Sequence, residues 1–221
     1  TLSYKSGDGF KLAARGRSNQ SAVVLDSTGR AYSLQTHNLP SARGQGEPLT
    51  GRINPPSGAG FGGLLMGDPA QRCLLASDAG YGFVTTLGEL HGKIRAGKEV
   101  LTLPAGAQVL SPSVITDESR WVAAGSNEGR LLVFPLEDLP SLSRGKGNKL
   151  MGIPPARVKA REEFLVAVAV LGDNDALTVW AGKRHLTLKA AELAHYRGER
   201  GRRGSKLPRG FQRVERISAG G

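Results

Sequence analysis

The chain has 221 residues, enough to bury a sizeable core, and its 39% hydrophobic and 22% charged residues are the proportions of a globular protein, not a disordered one. Thirty Lys and Arg against 19 Asp and Glu give a formal charge of +11 and a pI near 10.2, which points to a polyanionic partner, nucleic acid first. No apolar run approaches the roughly 18 residues of a spanning helix, no long amphipathic basic helix suggests a membrane surface, and the opening TLSYKSGDGF lacks the apolar core of a signal peptide; a cytoplasmic protein without membrane insertion is expected.

The 31 Gly beside only 5% aromatic residues suggest many tight turns, as in an all-β chain of short strands. Taken in order, Tyr4 to Gln20 reads as the later half of a repeat whose hairpin lies upstream of residue 1. Four stretches then share one pattern: AVVLDSTGRAYSL, CLLASDAGYGFVT, WVAAGSNEGRLLVF and LTVWAGKRHLTL are each a β-type run, a short turn ending in Gly, and a second β-type run. The turn glycines are Gly29, Gly80, Gly129 and Gly182, spaced 51, 49 and 53 residues apart. Each supplies the positive φ that a tight hairpin needs.

A short Leu-containing turn follows each hairpin, as NLPS, GELH, EDLP and AELA. A basic, Gly-rich loop comes next: Arg43 to Gly46, Arg95 to Lys98, Arg144 to Lys149 with Lys146 between, and RGERGRRGSK from Arg197 to Lys206. Further strands are expected after these loops, for example EVLTLP, KLMGIP and the continuous FLVAVAVL, while helix is confined to about one turn near Lys189 to His195. Four strands per repeat is the arithmetic of a propeller-like disc. It gives one domain over residues 1–221 with about five blades, residues 1–20 being the remnant of an incomplete first one.

In a circular array the equivalent loops would form a discontinuous basic rim, with Arg forks and glycine backbone N–H groups approaching phosphates. The candidate contacts are Arg200, Arg202, Arg203 and Lys206 first, with Arg197 and Arg209, then Arg144, Lys146 and Lys149, then Arg43, Arg95 and Lys98, with Arg15 and Arg17 extending the rim. Arg197 to Arg216 alone holds eight basic and two acidic residues, a net +6. LPRGFQRVERI follows the last loop, and its Leu207, Phe211, Val214 and Ile217 suggest that the chain returns to the fold instead of ending in a basic tail. Backbone contacts of this kind carry no sequence code.

Other chemistry finds little support. The lone Cys73 excludes an internal disulfide and reads as a buried small hydrophobe. Gly58, Gly60 and Gly63 have dinucleotide-loop spacing, but Pro-rich sequence precedes them and a β-like run follows. His37, His91, His185 and His195 are scattered, with no pair at metal-ligand spacing. Trp121 and Trp180 lie in strand runs and are expected in the core. Asp26, Asp78, Asp173 and Asp175 fall in turns, where they can bond the backbone. Neither a metal nor another cofactor is expected.

The stretches SNQ before VVLDSTGRAYSL, then LPSARGQGEPLTG, ASDAGYGFV, EDLPSLSRGKGNK, GERGRRG and RGFQRV closely resemble the C-terminal domains of the A subunits of bacterial topoisomerase IV (ParC), relatives of the gyrase A C-terminal domain. The resemblance covers essentially the whole chain. It implies a β-pinwheel whose blades exchange strands and whose basic outer rim binds and bends double-stranded DNA. It also implies a type IIA topoisomerase as parent, one that decatenates chromosomes and relaxes supercoils. The partners would then be the ATPase B subunit together with the rest of the ParC polypeptide, with the catalytic tyrosine, magnesium site and dimerisation elsewhere and this fragment a non-catalytic monomer. Gyrase carries a stricter motif near QRRGGKG; Ser41 to Gly46, Arg144 to Lys149 and Gly198 to Gly204 resemble degenerate versions, which favours topoisomerase IV. The alternatives are a gyrase-type wrapping domain and a propeller-like protein-interaction module.

Overall fold

The computed structural model describes residues 6–41 and 43–220; Tyr4, where the partial first repeat is expected to begin, and Ala42 of the first basic loop lie outside the described residues. In chain order the strands are β1 (Ser21–Asp26), β2 (Arg30–Gln35), β3 (Phe61–Gly67), β4 (Arg72–Ser77), β5 (Tyr81–Thr86), β6 (Lys98–Glu99), β7 (Ser113–Val114), β8 (Trp121–Ser126), β9 (Arg130–Pro135), β10 (Asn148–Lys149), β11 (Leu165–Leu171), β12 (Leu177–Ala181), β13 (Arg184–Leu188), β14 (Ser205–Lys206) and β15 (Arg216–Ala219). The expected hairpins are β1–β2, β4–β5, β8–β9 and β12–β13, all antiparallel. Their turn glycines lie at φ +89°, +90°, +76° and +60°.

The sheets run β3-β1-β2-β6, β7-β4-β5-β10, β11-β8-β9-β14 and β15-β12-β13. Each hairpin's first strand pairs with the strand that follows within its own repeat. The second strand of each of the first three hairpins pairs with a two-residue strand that lies beyond the next hairpin, so neighbouring blades are stitched together by exchange. The exchanged strands are shorter than EVLTLP and KLMGIP suggest, because the chain leaves the sheet edge to dock on the previous turn. Val100 and Leu101 both donate to Gly29 O, Leu150 donates to Gly80 O, and Leu207 donates to Gly129 O.

Burial explains why the hairpin runs are nearly continuously apolar. Successive side chains of a strand point to opposite faces, and here both faces are covered. Cys73 and Leu75 pack with Val23 and Leu25 of the first sheet, whereas Leu74 and Ala76 pack with Val122 and Ala124 of the third. Ala123 in turn faces Leu177 and Val179 of the fourth. β11 is divided in the same way, Val168 joining one core and Ala169 and Leu171 the other. Burial pushes the Cys73 thiol up to about 12.

Among the described residues there are four sheets, the last of three strands, and residues 6–20 form no strand. One expectation is revised. The tryptophans are half-buried rather than core: Trp121 donates to Asp173 Oδ1 at 2.9 Å and carries Arg197 on its face, and Trp180 carries Arg216. The expected helical turn near Lys189 is present at Ala190–Leu193. Short helices α1 (Leu87–Leu90), α2 (Pro155–Lys159) and α3 (Ala190–Leu193) punctuate the connections. Gly58 and Gly60 precede β3, and Gly63 lies within it, opposite Leu25 of β1. Asp26 is fully buried and fastens its turn by accepting from Thr28 N, Arg30 N and the Tyr32 hydroxyl.

Candidate nucleic-acid interface

Each basic loop after the first ends in a glycine at positive φ immediately before an exchanged strand: Gly97 (+79°), Gly147 (+83°) and Gly204 (+73°). These glycines are forced by close approach as well as by φ. A Cβ would lie 2.6 Å from the Tyr32 ring at Gly97, 2.2 Å from Gly82 O at Gly147 and 2.5 Å from Leu131 O at Gly204. The residues after the first three hairpin glycines also meet the next repeat's loop. Arg30 and Arg130 donate to Gly97 O and Gly204 O, both at 3.3 Å, and Lys146 Nζ sits 4.5 Å over the Tyr81 ring.

The loops touch one another through the chain that follows each. Arg95 donates to Gly51 O and Arg52 O, and Asn54 N donates back to Arg95 O. Gly145 N donates to Val100 O and Thr102 N to Gly145 O. Gly201 N donates to Leu150 O, Gly152 N to Arg202 O, and Arg200 Nη1 to Lys149 O at 2.7 Å. The four loops therefore make one contiguous row rather than four separate patches.

The candidate cations divide into two sets within that row. Arg43, Arg144, Lys149, Lys206 and Arg209 are exposed and have no side-chain partner among the described residues. Arg202 is equally exposed, in a 3.0 Å pair with Glu199 that water screens. Arg95, Lys98, Arg200 and Arg203 instead donate to carbonyls that hold the loops, Lys98 to Glu89 O and Arg203 to Gly152 O. Arg203 also lies 2.7 Å from Oε1 of Glu163, whose side chain is fully buried. Arg197 stacks 4.0 Å over Trp121. Arg15 and Arg17 are exposed beside the end of β2, where Thr36 Oγ1 donates to Ser18 O and Gln20 O.

The family profile described as DNA gyrase C-terminal domain, beta-propeller, matches residues 71–116 and 120–171. The DNA topoisomerase 4 A chain of Pseudomonas aeruginosa is 58% identical over 217 residues, and that of Escherichia coli K12 is 50% identical over 216; each match covers 98% of this chain and 29% of the relative. The solved E. coli ParC C-terminal domain superposes with a TM-score of 0.90 at 50% identity, covering 99% of this chain and 88% of that one. The chain belongs to the ParC C-terminal domain family. It spans less than a third of the length of the curated topoisomerase relatives. The gyrase A C-terminal domain, at TM-score 0.71 and 12% identity, shares the fold.

In this ParC-family domain, several groups around the row escape the sequence reading. Arg157 gathers Glu128, Glu162 and Glu163, and Arg161 pairs with buried Asp78 at 2.8 Å. These partners lie up to 83 residues apart, and no local motif announces them. His91, between α1 and the second loop, is half-buried with Nε2 unpartnered, and burial lowers its pKa. Its unfolded form binds protons more readily, so its contribution to stability is present above the ordinary His pKa and is lost as pH falls through the lowered folded value. Thermal denaturation between pH 7 and pH 5 should show that loss, and His91→Gln should flatten it; an unchanged pH profile would remove His91 as the cause.

Proposed function

We propose that this chain is the DNA-holding part of a topoisomerase IV ParC protein. It binds duplex DNA through the phosphate backbone along the basic row, without regard to sequence, and bends the duplex around it. The observation that carries this reading is the contiguity of the loops, with Arg43, Arg144, Lys149 and Lys206 along them and Arg209 just beyond, all exposed and without a side-chain partner among the described residues. A row of fixed cations neutralises successive phosphates and releases counterions. Following a curved row adds contacts that offset the elastic cost of bending, of order 1–6 kcal/mol for a 20–30 bp site.

The strand passage, cleavage and ATP hydrolysis of such an enzyme belong to the ATPase B subunit and to the remainder of ParC, which are the proposed partners. This chain would act as a monomeric, cofactor-free holder of the transported duplex in the cytoplasm, and residues 1–20 would continue an earlier blade. Ligation of a nicked plasmid in the presence of the chain tests the reading. A displaced topoisomer distribution is expected at low salt, returning to the protein-free distribution as salt is raised. A distribution unmoved at low salt would exclude DNA bending as its role.

A further inference from the structure

The second basic loop departs from the others at one position. Three residues before the glycine that ends each loop, the first and third present Arg43 and Arg144, both exposed, and the fourth presents Gly201. The second presents Ile94, 68% exposed, between exposed Lys93 and Arg95. Lone apolar side chains are ordinary on protein surfaces, but this one is held firmly in place. Ile94 O accepts from Gly97 N at 3.0 Å. Gly97 is buried with no room for a side chain beside Tyr32, and the Arg95 guanidinium is turned back onto Gly51 O and Arg52 O. Ile94 thus occupies the place where two other loops put a guanidinium, on a turn fixed at both ends.

We propose that Ile94 is an apolar wedge, which the second loop presses into the minor groove of the bound duplex where the DNA bends. The inference rests on the DNA-holding function above. Facing phosphates alone, Ile94 would bring apolar surface against charge with no gain. Against the sugar faces of a widened minor groove, that surface leaves water, and apolar side chains placed at a base step in this way unstack it and kink the duplex. The cost of unstacking is smallest where stacking is already interrupted. The second loop would therefore set where the bend falls, while its neighbours hold the backbone.

The test compares end-labelled duplexes with and without a central nick, reading affinity by anisotropy and bend by energy transfer across a salt series. The chain is expected to bend both and to prefer the nicked duplex by roughly tenfold. Ile94→Ala should lose that preference and relax the bend with the salt slope unchanged. Ile94→Arg should steepen the slope by about 0.9 without restoring the preference. Equal affinity for the two duplexes, or an Ile94→Ala variant that bends and discriminates like the parent, overturns the wedge. Failure of the parent chain to bind either duplex at low salt overturns the DNA-holding function itself, and the wedge with it. Since Ile94 is exposed, these variants are expected to fold.

Discussion

Gly129→Ala is expected to destabilise the chain by at least ~4 kcal/mol, whereas Gly182→Ala at the equivalent turn should cost only about 1 kcal/mol. Both glycines have positive φ, +76° and +60°, so both substitutions carry the left-handed penalty. They differ in what lies beside them. A Cβ on Gly129 would sit 2.1 Å from Phe211 O and 3.1 Å from Gln212 Cα, in the segment that the following repeat lays over the turn. Gly182 has nothing within 4 Å among the described residues. Relieving the first clash means pulling Phe211, Val214 and Leu207 away from the core they share with Leu131 and Val133. Urea denaturation of the two variants measures the difference directly. Similar losses at both sites would show that the exchanged segment does not depend on the turn.

Arg202→Ala and Arg203→Ala should separate binding from stability although the two residues are neighbours. Arg203 lies 3.0 Å from Oε2 of fully buried Glu163, which Arg157 also approaches at 2.9 Å. Removing Arg203 leaves that carboxylate with one partner, at a cost of about 2 kcal/mol. For a chain of this size that is roughly 4–8 °C in Tm. Arg202 points into solvent with its side chain 73% exposed, so Arg202→Ala should leave Tm unchanged and lower the salt slope of DNA binding by about one. Melting curves and salt titrations of each variant decide the matter. A stable Arg203→Ala with a flatter slope, or an unstable Arg202→Ala, would reverse the assignment.

The repeat was legible because one residue type does the same job in each blade. Gly29, Gly80, Gly129 and Gly182 need positive φ, so their spacing carried the hairpins, and the doubly buried strands read as continuous apolar runs. The basic loops were legible for a related reason, as each after the first needs a glycine before its exchanged strand. Which cations face outward was not. Arg202 and Arg203 are adjacent and chemically identical, and Glu163 and Gly152 O, 40 and 51 residues away, make one of them structural. The half-exposed positions of Trp121 and Trp180 were hidden in the same way, since Arg197 and Arg216 reach them from distant segments. The exchanged strands read too long because their buried residues, such as Val100 and Leu150, look strand-like while bonding to a turn rather than a ladder.

The central claim is that the four loops act as one row on a single duplex. Its most direct measurement is the salt slope of duplex binding by anisotropy for the parent chain and three charge-removed variants: Arg43→Ala, Arg144→Ala with Lys149→Ala, and Lys206→Ala with Arg209→Ala. A contiguous row predicts a slope that falls at every loop, by about 0.9 for each cation that meets a phosphate. A slope carried by one loop and untouched by removing the others would contradict it.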